Sequence, residues 1–145
     1  MIEIQRIKEN RAEVIDGLKK RGLDSEKDVE KILKVDQQWR EAKTELQETS
    51  ASLNTISKEV GKLFSSGERD QAEEMKIQSV ALKKQEAVQK LRVDELQNEL
   101  SNAIMSLPNI PRPEVPSGKD ANDNELVFES GSSPKSESAP KAHWA

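Results

Sequence analysis

Cysteine is absent from the 145 residues, which excludes disulfides, thiolate-ligated zinc and cysteine nucleophiles. The only histidine is His143, close to the C-terminus, so neither a Ser-His-Asp arrangement nor a histidine metal centre can be assembled. Tyrosine is missing, and aromatics amount to 3%: Trp39, Phe64, Phe128 and Trp144. That is too few for an aromatic-rich β-sandwich or for a platform that stacks single-stranded bases. No apolar run reaches the roughly 18 residues of a membrane span, and no signal-like apolar stretch opens the sequence. Hydrophobic residues (33%) are fewer than charged ones (34%), too few to fill a compact sphere of this size. The composition predicts a soluble, cytoplasmic chain that makes no membrane contact.

The formal net charge of -4 combines 23 basic and 27 acidic residues, and both signs occur throughout. Residues 1–26 carry six of each, residues 27–107 carry 13 basic and 15 acidic, and residues 108–145 carry four and six. There is no polybasic tail. An anionic partner would have to be recognised by a local stripe rather than by the total.

Residues 1–26 read as one helix at the base of the molecule. Ile4, Ile7, Val14, Ile15 and Leu18 recur at helical spacing, and Gly22 provides a stop after Lys19, Lys20 and Arg21. Cations in a last turn complement the negative helix end, which explains that triplet as well as a binding role does.

Residues 27–107 hold the strongest pattern. Ile32, Trp39, Leu46, Leu53 and Val60 are seven apart, and Val35, Ala42, Thr49, Ile56 and Leu63 follow three residues behind. This is the a/d repeat of a coiled coil. Asp24 or Ser25 can cap its start. After a turn near 65–69 a second run begins, with Ala72, Ser79, Glu86, Val93, Leu100 and Leu107 at a and Met75, Leu82, Gln89, Leu96 and Ala103 at d. Two runs of similar length joined by a tight turn fold back as an antiparallel hairpin. Pairing outward from the turn sets Val60 by Met75, Leu53 by Leu82, Trp39 by Leu96 and Ile32 by Ala103. The same register sets Thr49 by Glu86 and Leu46 by Gln89, a polar weak point in mid-arm.

Residues 108–145 change character. Pro108, Pro111, Pro113 and Pro116 end the second helix and favour extended backbone. Glu125 to Glu129 reads as a short strand with Leu126 and Phe128 on one face. Residues 130–142, rich in Ser, Pro, Lys and Ala, read as flexible linker. The expected fold is therefore all-α: a long antiparallel two-helix coiled-coil hairpin, a short N-terminal helix, and an extended Pro-rich C-terminal segment.

The two seam margins differ in charge. The g margin is mixed, and Glu45 can meet Arg92 across it. The e margin carries Lys43, Ser50, Ser57 and Phe64 against Lys76, Lys83, Lys90 and Gln97, with Asp36 the acid near the base. Lysines supply charge to a phosphate backbone, and the hydroxyls can donate hydrogen bonds to phosphate or ribose. Lysines flanking a coiled-coil seam also commonly lie across the core with their heads in water. With no aromatics interleaved among these lysines, a nucleic-acid reading favours a structured RNA recognised by shape and backbone. Asp36, Glu59 and Glu86 are isolated acids on helices. No phosphate loop, paired carboxylates or nucleophile motif accompanies them, so the chain carries no catalytic residues, no metal site and no cofactor of its own.

The order of elements, together with particular residues, resembles the N-terminal region of the seryl-tRNA synthetase family, of bacterial type. The most specific match is LPNIPRPEVPSGKDANDNELV, Leu107 to Val127, with its L-P-N-I-P, V-P-x-G and acidic run ending at Asn124. Weaker matches are IKENR (Ile7 to Arg11), KRG (Lys20 to Gly22) and DQQWR (Asp36 to Arg40), with Trp39 where the family commonly has Arg. Arg112-Pro113-Glu114 departs from a usual His-containing stretch. Ala142-His143-Trp144 resembles the Pro-His-Trp lead-in to the family's catalytic domain.

The resemblance implies a homodimeric class II parent enzyme that activates serine with ATP and magnesium and esterifies the 3′ end of tRNA(Ser). It implies that the hairpin recognises the long variable arm and elbow of that tRNA. It also implies a sequence that stops before the catalytic domain, inactive alone and monomeric. Combined with the e margin, it makes Lys43, Lys76, Lys83 and Lys90 the principal tRNA contacts, with Lys58, Lys62, Lys84 and Arg69 secondary. The competing expectation is a structural or chaperone-type coiled-coil hairpin that binds proteins through an apolar tip, where Phe64 and Leu63 lie.

Overall fold

The computed structural model describes residues 2–118 and 120–131. Most of the Ser/Pro-rich stretch expected as linker, and Ala142-His143-Trp144, lie outside the described residues. Four α-helices follow one another: α1 (Ile4–Glu9), α2 (Arg11–Lys19), α3 (Glu26–Ser66) and α4 (Arg69–Ser106). A single 3-10 turn at Ala121–Asp123 completes the described elements.

Helices α3 and α4 pack along their length as an antiparallel hairpin. With 41 and 38 residues at about 1.5 Å each, they are roughly 60 Å rods. Every a and d position of both heptad series is buried or half-buried. Burial is unequal along the rods, however. Near the base Ile32 and Val35 are fully enclosed; from Trp39 to Leu63 most seam residues of α3 stay half-buried, because two helices alone leave the flanks of their seam open to water.

The turn is made by Gly67 in the left-handed region (φ +85°), where a side chain would be strained. Glu68 N–H donates to Leu63 O (3.0 Å) and Gly67 N–H to Phe64 O (3.4 Å), the paired bonds of a Schellman ending. At the other end of α3, Ser25 occupies the cap position and its carbonyl accepts from Val29 N–H. Its hydroxyl makes no capping bond, contrary to the expectation for Asp24 or Ser25.

The hydrophobic core is at the base. Ile7, Val14, Ile15 and Leu18 from the N-terminal helices enclose Val29 and Ile32 of α3 and Leu107 after α4. Ile7, Val14, Leu18, Val29 and Ile32 are essentially inaccessible, each contributing about 1.5–3 kcal/mol of burial free energy. One corner of a long hairpin is thus anchored by two short helices.

Two further expectations are corrected. The N-terminal segment is two helices, broken at Asn10 (φ -126°, ψ 42°). Asn10 N–H still donates to Arg6 O and Asn10 O accepts from Val14 N–H, so these two bonds span the turn, and both Ile7 and Val14 reach the core. The expected strand does not form: residues 125–129 are irregular, with Leu126 and Phe128 both 80% exposed. A strand needs a neighbour to take its backbone bonds, and among the described residues none lies alongside.

Candidate nucleic-acid interface

The base fixes how the arm leaves the molecule. The Asp36 carboxylate, only 6% exposed, accepts from Arg40 Nε at 3.0 Å on its own helix and lies 3.3 Å from Lys8 Nζ of α1. What reads in sequence as an isolated acid is the ionic tie between α1 and α3. Lys20 Nζ donates to Pro113 O (3.0 Å), Arg21 Nη1 to Asn109 O (2.8 Å), and Gly118 N–H to Lys20 O (3.3 Å). Lys20 and Arg21 of the basic triplet therefore bind the Pro-rich return, whose carbonyls have no helix or sheet to satisfy them. Gly17 admits Ile110 so closely that a Cβ there would stand 2.3 Å from Ile110 Cγ2.

Along the arm, the structure brings Lys83, Lys90 and Ser50 together at one shallow depression, with Leu46, Glu86 and Ala87 between them. Lys43, one heptad nearer the base on α3, lies with Nζ 4.6 Å from the centre of the Trp39 ring, a cation–π contact. Lys76 is 3.2 Å from Glu73. Lys43, Lys83 and Lys90 have no carboxylate within 4 Å among the described residues. Arg69, the first residue of α4, extends the row: Arg69, Lys76, Lys83 and Lys90 are seven apart and all exposed. At about 1.5 Å per residue they mark out roughly 31 Å of arm.

The secondary residues separate. Lys84 and Lys58 are on the outward helix faces, one step around from the seam margin. Lys62 stands with Glu59, Leu63, Gln71 and Met75 at the opposite margin, away from the lysine row. Glu41, Glu45 and Glu48 are grouped along α3 on that side, beside Arg40.

The two hydroxyls do not act as expected. Ser50 Oγ donates to Glu86 Oε1 at 2.5 Å, and Ser57 Oγ donates to Leu53 O at 2.8 Å. Each donor is spent inside the protein, because helical Ser reaches its own i−4 carbonyl or a cross-seam acid more readily than solvent. The g-margin pair differs as well. Arg92 lies 3.7 Å from Glu95, while Lys31 crosses to Glu99 at 3.6 Å.

Residues 1–111 match the family model described as the seryl-tRNA synthetase N-terminal domain. The chain belongs to that family. Within this seryl-tRNA synthetase N-terminal domain, the matched residues take in the base, the whole hairpin and the start of the return. The serine–tRNA ligase of Thermotoga neapolitana is 40% identical over 144 residues, covering 99% of this chain and 34% of that protein. That of Salinibacter ruber is 30% identical over 144 residues, with the same shares. The crystal structure of seryl-tRNA synthetase from Pyrococcus horikoshii complexed with ATP superposes with a TM-score of 0.74 at 36% identity, covering 85% of this chain and 27% of that one. The chain thus spans about a third of the length of the curated relatives it matches.

Proposed function

We propose that this seryl-tRNA synthetase N-terminal domain is the tRNA-binding arm of a serine–tRNA ligase, holding the long variable arm and elbow of tRNA(Ser) against the lysine row of the hairpin. The observation that carries the reading is the spacing of Arg69, Lys76, Lys83 and Lys90 along one exposed margin of a rigid rod. A straight cationic row of roughly 31 Å suits the backbone of a folded RNA, which offers phosphates over a comparable distance.

Lysine acts here as point charge. Each ammonium displaces counterions condensed on the phosphates, so affinity falls with salt, and base identity goes unread along this margin. Selectivity for one tRNA then comes from shape: an RNA with an extra stem can lie along the rod while the base, pinned through Asp36 and the return, sets its direction. Ser50 and Ser57 contribute through their lone pairs and packing, since their protons are engaged.

In the parent enzyme, ATP and magnesium supply the activation of serine, in a cytoplasmic homodimer. Their chemistry belongs to the catalytic domain. Among the described residues no group of three or more His, Cys, Asp or Glu side chains converges as a metal ligand set would.

Filter binding tests the proposal. Seryl tRNA should bind at least tenfold more tightly than a tRNA lacking the long variable arm. Equal retention of both, or of neither, overturns it in favour of a protein-binding hairpin.

A further inference from the structure

Helix α4 has a second apolar face that the hairpin does not use. Ile77, Val80, Val88 and Leu91 are 50–70% exposed, and with Ala81 and Ala87 they recur at the three-to-four-residue spacing of one helix side. Scattered exposed aliphatics are ordinary on protein surfaces; four branched ones in line over two heptads, roughly 21 Å, form a contiguous stripe. Lys84 stands at its centre, and Lys83 and Lys90 border it on the e side. All three lack a carboxylate within 4 Å among the described residues.

We infer that this stripe docks an acidic amphipathic helix of a partner protein. Aliphatic side chains offer no stacking surface to bases, which disfavours RNA as the occupant. A second copy of the chain is disfavoured by charge. An antiparallel two-fold centred on the stripe sets Ile77 by Leu91 and Val80 by Val88, but it also sets Lys84 on Lys84, Lys76 near Arg92 and Glu74 near Asp94. A parallel two-fold again opposes Lys84 to itself. A helix of about four turns with apolar residues at i, i+3, i+11 and i+14, a carboxylate at i+7 and acids on one flank matches the apolar stripe, its central lysine and its cationic border. Lys83 and Lys90 are shared with the tRNA row, so such a helix competes with RNA if the proposed function holds; docking itself does not depend on that function.

The test uses the full 145-residue chain and two synthetic 18-residue helical peptides with the same leucine stripe, one flanked by Glu and one by Lys. Fluorescence anisotropy should show the Glu peptide binding with a Kd of about 10–100 μM, and the Lys peptide at least tenfold weaker. The double variant Ile77→Asn/Leu91→Asn should lose the Glu peptide tenfold or more with its circular dichroism unchanged, both side chains being outside the seam. Lys84→Glu should reverse the peptide preference. Three results each overturn the inference: equal binding of both peptides, binding that survives the double variant, or no binding at 1 mM. It also falls if the double variant abolishes a dimer seen by sedimentation, which makes the stripe a self-contact. Loss of tRNA affinity in the double variant without loss of peptide binding assigns the stripe to RNA and overturns it too.

Discussion

Ser50 Oγ on α3 donates a 2.5 Å hydrogen bond to Glu86 Oε1 on α4, tying the two helices of the hairpin at its midpoint. Glu86 occupies an a position that every neighbouring heptad but Ser79's fills with an apolar side chain. Next to it, Gln89 leaves its carbonyl oxygen buried without a partner. The arm therefore has a polar layer where a coiled coil would normally be driest.

Glu86→Leu should stabilise the arm. The leucine restores an apolar layer worth about 1 kcal/mol, and Ser50 can turn to its i−4 carbonyl as Ser57 already does. Thermal denaturation followed by circular dichroism should show a rise of several degrees. An unchanged or lower Tm would mean that the layer is held by something other than this seam.

Gly17→Ala should destabilise the base. Its methyl meets Ile110 Cγ2, so helix and return must separate, at a cost of about 1–3 kcal/mol. Ile110→Ala made in the same chain should recover most of that loss in urea titrations. A double variant no more stable than Gly17→Ala alone would show that the clash is elsewhere.

Asp36→Ala should loosen α1 from α3. It removes the acceptor shared by Lys8 and Arg40, both partly exposed and able to rehydrate, so the loss is about 1–3 kcal/mol rather than that of a fully buried pair. Hydrogen exchange should quicken at Ile7 and its helix before it does in mid-arm. Uniform acceleration along α3 and α4 would contradict a local tie.

The hairpin was legible because a/d burial repeats over many heptads, so the periodic signal outweighs single exceptions such as Glu86 and Gln89. The stop at Gly22 was legible for a similarly local reason: it lies just past the last turn of α2, and its φ is positive. What sequence did not disclose depends on partners far along the chain. Asp36 finds Lys8 across 28 residues, and Lys20 finds Pro113 across 93. The break at Asn10 serves packing against α3, and the stretch at 125–129 lacks a neighbour that sequence alone does not supply. Within the candidate interface, heptad spacing put Lys76, Lys83 and Lys90 on one margin. It did not show that Ser50 and Ser57 have already committed their protons, or that Lys62 turns to the other side.

In the proposed function, the lysine row of α4 carries the phosphate contacts of tRNA(Ser). Charge reversal of two of its members, Lys76→Glu with Lys83→Glu, tests it most directly when seryl tRNA affinity is measured across a series of salt concentrations. Binding should weaken at low salt, and the slope of log affinity against log salt should become shallower by about two, one for each phosphate that a lysine no longer neutralises. Equal affinity and an equal slope in the double variant and the parent chain would contradict it.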